Sequence, residues 1–419
     1  MNDLHELYNI HTIYGNEESG LQWSWNRDKS VAKWCNENDV LFEEFPSNGV
    51  IRRLRSRDDW KALRDRRIDS SLVEAPQRIR APDNVQSDAI PHASELGFEV
   101  RELHLRPEPG ESAAMDTLFS FLDERGRGYR KGMSSPISGE SMCSRLSPYL
   151  STGCISIRQI FYHTKRKQRR IKTNPRSAEN RGWSGSLSSF QSRLAWHCHF
   201  MQKFEDEPAI EFENMNRAFD GLREGEFRQD RFEAWCRGET GYPMVDACMR
   251  ALHQTGWINF RMRAMLVSFA SYHLWLHWRQ TAVFLARHFL DYEPGIHFSQ
   301  FQMQSGVTGI NTLRIYSPAK QVVDQDPEGE FLRRFCPELE GVPKVYLAEP
   351  HRMPGVLQEK VGCQIGKDYP RPVVMHREAY AMARQRMGEI RKRPEVRTES
   401  FRVQERHGSR RKGGRKRKR

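Results

Sequence analysis

A long succession of helix signals is the feature that most constrains this chain. Apolar residues recur at three- and four-residue spacing from residue 111 to about residue 340, which predicts amphipathic helices. Pro243 and Gly256 bracket one of them, because Pro suits a first helical turn and Gly a helix end. The predicted helices cover residues 111–125, 187–204, 230–237, 243–254, 257–275, 278–290 and 377–392, and another begins at Ser147. We therefore predict a mainly α fold.

Strand signals are confined to the first 60 residues. Two short apolar runs, 11–14 and 41–45, flank a helix predicted over residues 26–38. A doubly wound sheet needs several more βα units, so this region is predicted to be a partial α/β, Rossmann-like segment. The predicted organisation is a partial α/β segment at 1–60, an interdomain linker at 61–110, an all-helical domain at 111–342, a C-terminal extension at 343–400 and a disordered basic tail at 401–419.

Three stretches are predicted to be loops. Residues 127–142 lack helical periodicity, and residues 165–181 form a basic insertion that contains Pro175. After Pro343 the chain is predicted to be loop-like except for the helix at 377–392.

Basic charge is concentrated at the end of the chain. The net charge is +13, and residues 406–419 contribute nine Lys or Arg and no acid, so the net charge without them is +4. A run of like charge repels itself and is usually disordered. It could contact nucleic acid, act as a nuclear import signal, or be no more than a solvated tail.

Signals for export or membrane insertion are missing from the sequence. No apolar run reaches about 18 residues, and the N-terminus lacks the basic-then-apolar order of a signal peptide. The eight Cys include no CxxC pair, so a cysteine-ligated metal centre is not expected. These features predict a cytoplasmic monomer without membrane contact and without a metal.

Two short patterns suit charged ligands. Residues 143–148 precede a helix and combine small hydroxyl residues with Arg145, which suits an anion, although such a pattern is usually only a helix cap. Arg261 and Arg263 point about 200° apart on a helix, so one can face inward. An inward guanidinium needs a partner, and Asp291 is the candidate. On spacing alone, a buried ion pair without a ligand is the preferred interpretation.

Histidines give a weaker signal. Residues 291–297 combine two acids, a Pro-Gly pair and a histidine, which predicts a binding loop rather than a helix. His197 and His199 diverge on a helix, while His273 and His277 have no accompanying glutamate. Neither pair predicts a metal site.

Four segments, in order and spacing, resemble the flavin domain of the cryptochrome/DNA photolyase family. They are SRLSPYLSTG at 144–153, CRGETGYPMVDACMRALHQTGWINFRMR at 236–263, FLDYEP at 289–294 and RIYSPAKQVVDQDPEGEFLRRFCPEL at 314–339. The resemblance implies an all-helical domain that holds FAD.

The resemblance also implies a set of cofactor-binding residues. The positions that match those holding the cofactor's phosphates and ribityl chain are Tyr129, Ser144, Arg145, Leu146 and Ser147. The positions that match the surroundings of the isoalloxazine are the pair Arg263 and Asp291, the acid Glu293 and, nearest flavin N5, His297. An imidazole at that point could control whether N5 gains a proton.

The chain departs from the family in the repair pocket. Where the family has an acid, an Asn, a Met and a Trp, this chain has Arg193, Phe260, Ala264 and Met303. An arginine in place of a carboxylate reverses the charge offered to a thymine edge. The family's Trp196, Trp257 and Arg261 are retained, and the expected nucleic-acid contacts are Trp196, Arg261 and Arg193.

The electron relay is also altered. Phe301 stands in place of the relay Trp nearest the flavin, and Trp278 matches the middle member. Phe oxidises less readily than Trp, so photoreduction would need another route, through Trp275 or a Tyr. The residues expected in electron transfer or flavin tuning are Trp278, His297 and Trp257. The short α/β segment makes an antenna chromophore doubtful.

Three functions remain open from the sequence. The first is a photolyase-like lyase that uses FAD and blue light to split pyrimidine dimers, with DNA as partner. The second is a cryptochrome-like photoreceptor without repair activity, which the substituted pocket favours. The third is a DNA-binding remnant without photochemistry. The basic balance, Trp196 and Arg261 favour contact with DNA.

Overall fold

The computed structural model describes residues 1–80, 85, 87–98, 103–175 and 177–409. The α-helices are α1 Asn2–Tyr8, α2 Gln22–Glu37, α3 Trp60–Ile68, α4 Glu111–Asp123, α5 Tyr129–Gly132, α6 Pro136–Met142, α7 Ser147–Ser151, α8 Ile157–Thr173, α9 Trp183–Asp206, α10 Gln229–Arg237, α11 Pro243–Thr255, α12 Phe260–Ser268, α13 Trp278–Ala286, α14 Pro294–Ser305, α15 Pro318–Gln325, α16 Glu330–Phe335, α17 Lys344–Leu347, α18 Gly355–Val361, α19 His376–Ile390 and α20 Pro394–His407. The strands are β1 Thr12–Glu17 and β2 Leu41–Pro46. The predicted mainly α fold is confirmed.

The two strands form a small parallel sheet. Thr12 pairs with Leu41 at one end and Glu17 with Pro46 at the other, and α2 is the crossover between the strands. Parallel strands require such a crossover, so residues 12–46 form one βαβ unit, which α1 precedes. The predicted partial α/β segment is confirmed, with both strands close to their expected positions.

Helix α9 is shared by two apolar cores. Its first half packs with α3, α4 and α8, where Phe121, Ile160 and Phe190 are buried. From Phe204 onward it contributes to a larger core that extends as far as Val403 in α20. The helix also holds the N-terminal segment, because the Gln202 side chain accepts from the amide of Ile51 at 2.7 Å and donates to its carbonyl at 2.9 Å. Residues of both cores therefore have fixed positions relative to α9.

The predicted loop at 165–181 is wrong for its first half. Helix α8 continues to Thr173 and ends before Pro175. A capping box joins Ser156 and Gln159 at its start, and Ile157, Ile160 and Ile171 are buried at helical spacing. The dense charge on the opposite face concealed this periodicity.

The predicted binding loop at 291–297 is also wrong in part. Pro294 is the first residue of α14, and Glu293 precedes it in an extended conformation. Proline has no backbone N–H to lose at a first helical turn, so it starts this helix instead of breaking it. His297 consequently lies on a helix.

Other predicted loops and the linker contain short helices. Residues 127–142 include α5 and α6, residues 60–68 form α3, and α17 and α18 follow Pro343. Residues 401–407, predicted to begin a disordered tail, complete α20; residues 410–419 lie outside the described part of the chain. Within the described residues, no helix combines the length and apolar character needed to cross a bilayer.

Candidate functional site

The site contains a bidentate ion pair between Arg263 and Asp291. Two parallel hydrogen bonds join the guanidinium to the carboxylate, at 2.9 Å and 2.8 Å, and Arg263 Nε donates to the carbonyl of Ile258 at 2.8 Å. The Asp291 side chain is only 4% exposed. A bidentate pair with a third bond to the backbone fixes the guanidinium plane. The partner predicted for the inward arginine is therefore the observed one.

The segment before α7 has an unusual backbone. Arg145 adopts a left-handed conformation with φ of 61°, and its guanidinium lies 3.9 Å from the centroid of the Trp257 ring. Arg125 also holds the segment, because its guanidinium donates hydrogen bonds to the carbonyls of Cys143 at 2.6 Å and Ser144 at 3.3 Å. The segment is thus held in one conformation by two arginines.

The predicted helix cap differs from the observed start of α7. Ser147 is the first helical residue, Leu146 occupies the cap position, and no side chain caps the helix. Ser147 therefore does not serve as a cap, and its hydroxyl is not used by its own helix for that purpose.

Positive charge converges on Cys143. Four guanidinium groups are close enough to favour its thiolate electrostatically: Arg125, Arg145, Arg193 and Arg263. Burial outweighs them and raises the pKa of the Cys143 thiol to about 11, so the thiol is neutral. Burial also lowers the pKa of Arg145, with Glu140 and Asp291 acting in the opposite direction. An excess of partly buried guanidinium groups over carboxylates gives this region a charge that suits an anion.

Tyr129 joins this cluster to the protein surface. Its ring is buried between Phe121 and Phe190, with centroid distances of 5.6 Å and 5.9 Å. Burial raises the pKa of the Tyr129 hydroxyl to about 12, and Arg193 is its hydrogen-bond partner. Tyr129 is therefore neutral, and Arg193 connects it to the surface.

His297 is buried and neutral. Burial lowers the pKa of its imidazole to about 4, and its Nε2 lies 2.8 Å from the carbonyl of Ala282. A carbonyl only accepts, so Nε2 carries the proton and Nδ1 is an acceptor. Its ring lies against Phe301 at 4.6 Å and Tyr292 at 5.1 Å. The surroundings thus hold one tautomer of a neutral imidazole.

A partly buried ion pair between His197 and Glu293 is not evident from the sequence. Nε2 of His197 lies 2.8 Å from Glu293 Oε2, across the contact between α9 and α14. Burial opposes protonation of His197, but the Glu293 carboxylate dominates and raises the pKa of the imidazole to about 10. The two residues are 96 positions apart, so spacing could not connect them. The available signal was the acid itself, since a buried carboxylate needs a partner.

Aromatic side chains and Arg193 form an exposed surface beside this site. Trp196 and Phe260 are 47% and 44% exposed, which is unusual for large aromatic side chains. The Arg193 guanidinium lies 4.6 Å from the Trp196 ring and 5.9 Å from the Phe260 ring. We call these three residues the aromatic mouth. Of the predicted nucleic-acid contacts, Arg193 and Trp196 touch each other, while Arg261 follows Phe260 on α12.

The proposed relay residue Trp278 lies deeper in the core. It is fully buried, and its Nε1 donates to Asn214 at 2.7 Å. Its ring lies 6.3 Å from Phe298, which in turn lies 5.6 Å from His297. Trp278 is therefore separated from His297 by a phenyl ring, whereas Trp257 contacts Arg145 directly.

Comparisons with known proteins agree with this geometry. A family model described as the FAD binding domain of DNA photolyase matches residues 190–389. A deoxyribodipyrimidine photo-lyase of Agrobacterium fabrum is 33% identical over 275 residues, which are 65% of this chain and 54% of that protein. A cryptochrome DASH of Natronomonas pharaonis is 29% identical, over 72% of this chain and 62% of its own length.

Solved structures show the same relationship. A bacterial class III photolyase from Agrobacterium tumefaciens superposes with a TM-score of 0.77 and 26% identity, covering 94% of this chain and 82% of the other. Residues 190–389 of this chain belong to the family of DNA photolyase FAD-binding domains. The chain spans less than two thirds of the length of the curated relatives described above.

The residues present fit FAD, the cofactor of this family's helical domain. The cofactor's two bridging phosphates are anionic, and the arginine cluster around Cys143 has the charge to bind them. Asn259 Oδ1, just before α12, and Arg261 Nε, on α12, are buried and have no hydrogen-bond partner among the described residues, as expected of groups that a polar ligand completes. Arg145, Arg263 and Asp291 would hold the cofactor.

Proposed function

We propose that this protein is a light-driven DNA lyase of the pyrimidine-dimer type. The observation that carries the proposal is the aromatic mouth, an exposed Trp and Phe with a guanidinium between them, next to the residues that fit FAD. When bound and reduced, FAD supplies under blue light the electron that splits a dimer and is then returned. Surface aromatics of this kind suit a base that has left the helical stack.

The protein's own residues would then orient the lesion and keep water out. Trp196 would stack on the extruded base, and Arg193 and Arg261 would bind phosphates or base edges. His197 is one residue from Trp196 on α9 and is tied to Glu293. This short connection would keep the mouth and the flavin-binding residues at a constant separation.

His297 would hold a proton on the side facing Ala282 and leave Nδ1 as an acceptor. Its lowered pKa keeps the imidazole neutral near pH 7. A neutral imidazole would affect the charge state of a neighbouring flavin less than an imidazolium would, because it adds no net charge. We propose it as a tuning residue rather than as an acid.

A cryptochrome-like photoreceptor is the second candidate, and Arg193 favours it. The family has an acid at this position, and here a guanidinium occupies the mouth against Trp196. A cation cannot accept hydrogen bonds from a thymine edge. Light absorption would then alter binding to a partner without chemistry on DNA.

The deciding experiment is a repair assay on FAD-loaded protein. Thymine-dimer-containing single- and double-stranded oligonucleotides are illuminated with blue light and reductant, and restored thymines are counted by chromatography. We expect repair by the wild-type protein and by Trp23→Ala, a control in which an exposed Trp far along the chain is removed. Trp196→Ala should retain FAD and lose repair. Intact dimers with FAD-loaded wild-type protein would reject the lyase and leave the photoreceptor.

A further inference from the structure

Helix α8 carries more Lys and Arg side chains than any other described helix. Its 17 residues contain seven Lys or Arg and no acid. The seven cations of α8 and the nine of residues 406–419 exceed the whole chain's net charge of +13, so the rest of the chain has a net charge of −3. Basic charge in the folded part is therefore a local property of this helix and not a general one.

Acidic neighbours neutralise only part of α8. Lys165 pairs with Asp69 at 2.7 Å, and Lys167 lies 3.7 Å from Asp123. Within the described ranges, no carboxylate lies within ion-pair distance of the remaining exposed cations, which are Arg166, Arg169, Arg170 and Lys172. Burial, followed by the charge of Arg170, lowers the pKa of Lys167, which shows that like charges are crowded here.

These cations follow one side of the helix. Arg166, Arg169 and Lys172 are three residues apart, so they rise about 4.5 Å at each step and stay near one face. Tyr162 precedes them by one turn, is 47% exposed and lies 5.8 Å from the Arg166 guanidinium. We call Tyr162, Arg166, Arg169 and Lys172 the α8 stripe. A regular row of cations beginning at an exposed aromatic ring matches a strand of phosphates with unstacked bases.

Helix α8 packs beside α9, the helix that carries Arg193 and Trp196 of the aromatic mouth. Gln168 on α8 donates to Gln191 on α9 at 3.1 Å, and Gln191 precedes Arg193 by two residues. The apolar face of α8 is buried in the core, so no apolar surface of this helix is free to enter a membrane.

We propose that the α8 stripe binds the phosphodiester backbone of a nucleic acid, without reading sequence or lesion. The inference deepens the proposed function and rests on it for its biological role. Binding of DNA by the α8 stripe does not require repair, so it is tested with undamaged DNA in the dark.

The test compares two triple variants of the full chain by fluorescence anisotropy with labelled undamaged duplex and single-stranded DNA. The first is Arg166→Gln/Arg169→Gln/Lys172→Gln. The control, Lys33→Gln/Lys344→Gln/Lys360→Gln, removes the same charge from exposed sites elsewhere. The stripe variant should bind DNA about tenfold more weakly at low salt. The slope of the logarithm of its binding constant against the logarithm of the salt concentration should be smaller in magnitude by about 0.9 for each phosphate that it no longer neutralises. The control should bind like the wild type.

A charge-preserving variant and a footprint complete the test. Arg166→Lys/Arg169→Lys should retain affinity for DNA, because a contact with the phosphate backbone depends on the charge of the side chain rather than on its shape. In the wild-type protein, bound DNA should protect Lys172 from acetylation more than Lys360, so the result does not depend on any variant folding. Equal weakening in both triple variants, or an unchanged salt slope, would overturn the proposal. So would binding of the stripe to anionic vesicles but not to DNA.

Discussion

Replacing Asp291 by Asn tests the core of the site. The change removes the negative partner of Arg263 and keeps the size of the side chain. Asn can still accept one hydrogen bond, and Arg263 keeps its bond to the Ile258 carbonyl. Breaking a fully buried ion pair costs about 3–5 kcal/mol. Arg263 is 24% exposed and Asp291 4%, so we expect a smaller loss of about 2–3 kcal/mol in the free energy of unfolding.

The assay is urea unfolding followed by circular dichroism, with and without added FAD. Glu328→Gln is the matched control, since it breaks an ion pair with Lys344 in which both side chains are at least 60% exposed. We expect that control to lose less than about 1 kcal/mol. We also expect Asp291→Asn to bind FAD more weakly. An Asp291→Asn protein as stable as the control would show that the pair adds nothing to folding and would refute the reasoning.

Three further predictions concern other parts of the molecule. His197 has a pKa of about 10 in the fold and about 6.5 when unfolded, so it stabilises the protein fully below pH 6.5 and progressively less up to pH 10. His197→Gln should flatten that part of the stability profile, measured by urea unfolding at several pH values. Arg145→Gly should relieve about 1 kcal/mol of backbone strain yet weaken FAD binding, as measured by flavin fluorescence. Ending the chain after Arg393 should lower stability by about 3 kcal/mol, because α20 buries two valines, and the urea midpoint reports it.

Each of these has a contrary outcome. An unchanged pH profile of stability in His197→Gln would mean that Glu293 does not keep His197 protonated in the folded protein. Unaltered FAD affinity in Arg145→Gly would remove Arg145 from the cofactor site. A truncated chain as stable as the full one would mean that α20 is not part of the core.

The fold was largely predictable because its signals are local. Helices α9 to α13 follow apolar periodicity, and Pro243 and Gly256 have the positions expected at helix ends. The errors arose where one signal outweighed another. Charge conceals the buried isoleucines of α8, and the Pro-Gly pair at 294–295 predicts a loop although proline also favours a first helical turn.

The sequence predicts the site residues that belong to a short motif, but not the contacts that only the fold brings about. The Arg263–Asp291 pairing followed from the need of an inward cation for a partner. The His197–Glu293 pair depends on how α9 meets α14, which no short pattern specifies. The convergence of four arginines on Cys143 likewise requires segments far apart in sequence. Long-range juxtaposition is the part that a single sequence does not reveal.

The sharing of α9 between two cores has a consequence for how this protein unfolds. Helix α9 contributes Phe190 to one core and Phe204 to the other. Unfolding of this helix would therefore expose apolar surface in both cores. The two cores should therefore melt as one cooperative unit, and the amides at the centre of α9 should exchange with solvent only through global opening. The aromatic mouth, which includes Arg193 and Trp196 of α9, should therefore stand on slowly exchanging backbone.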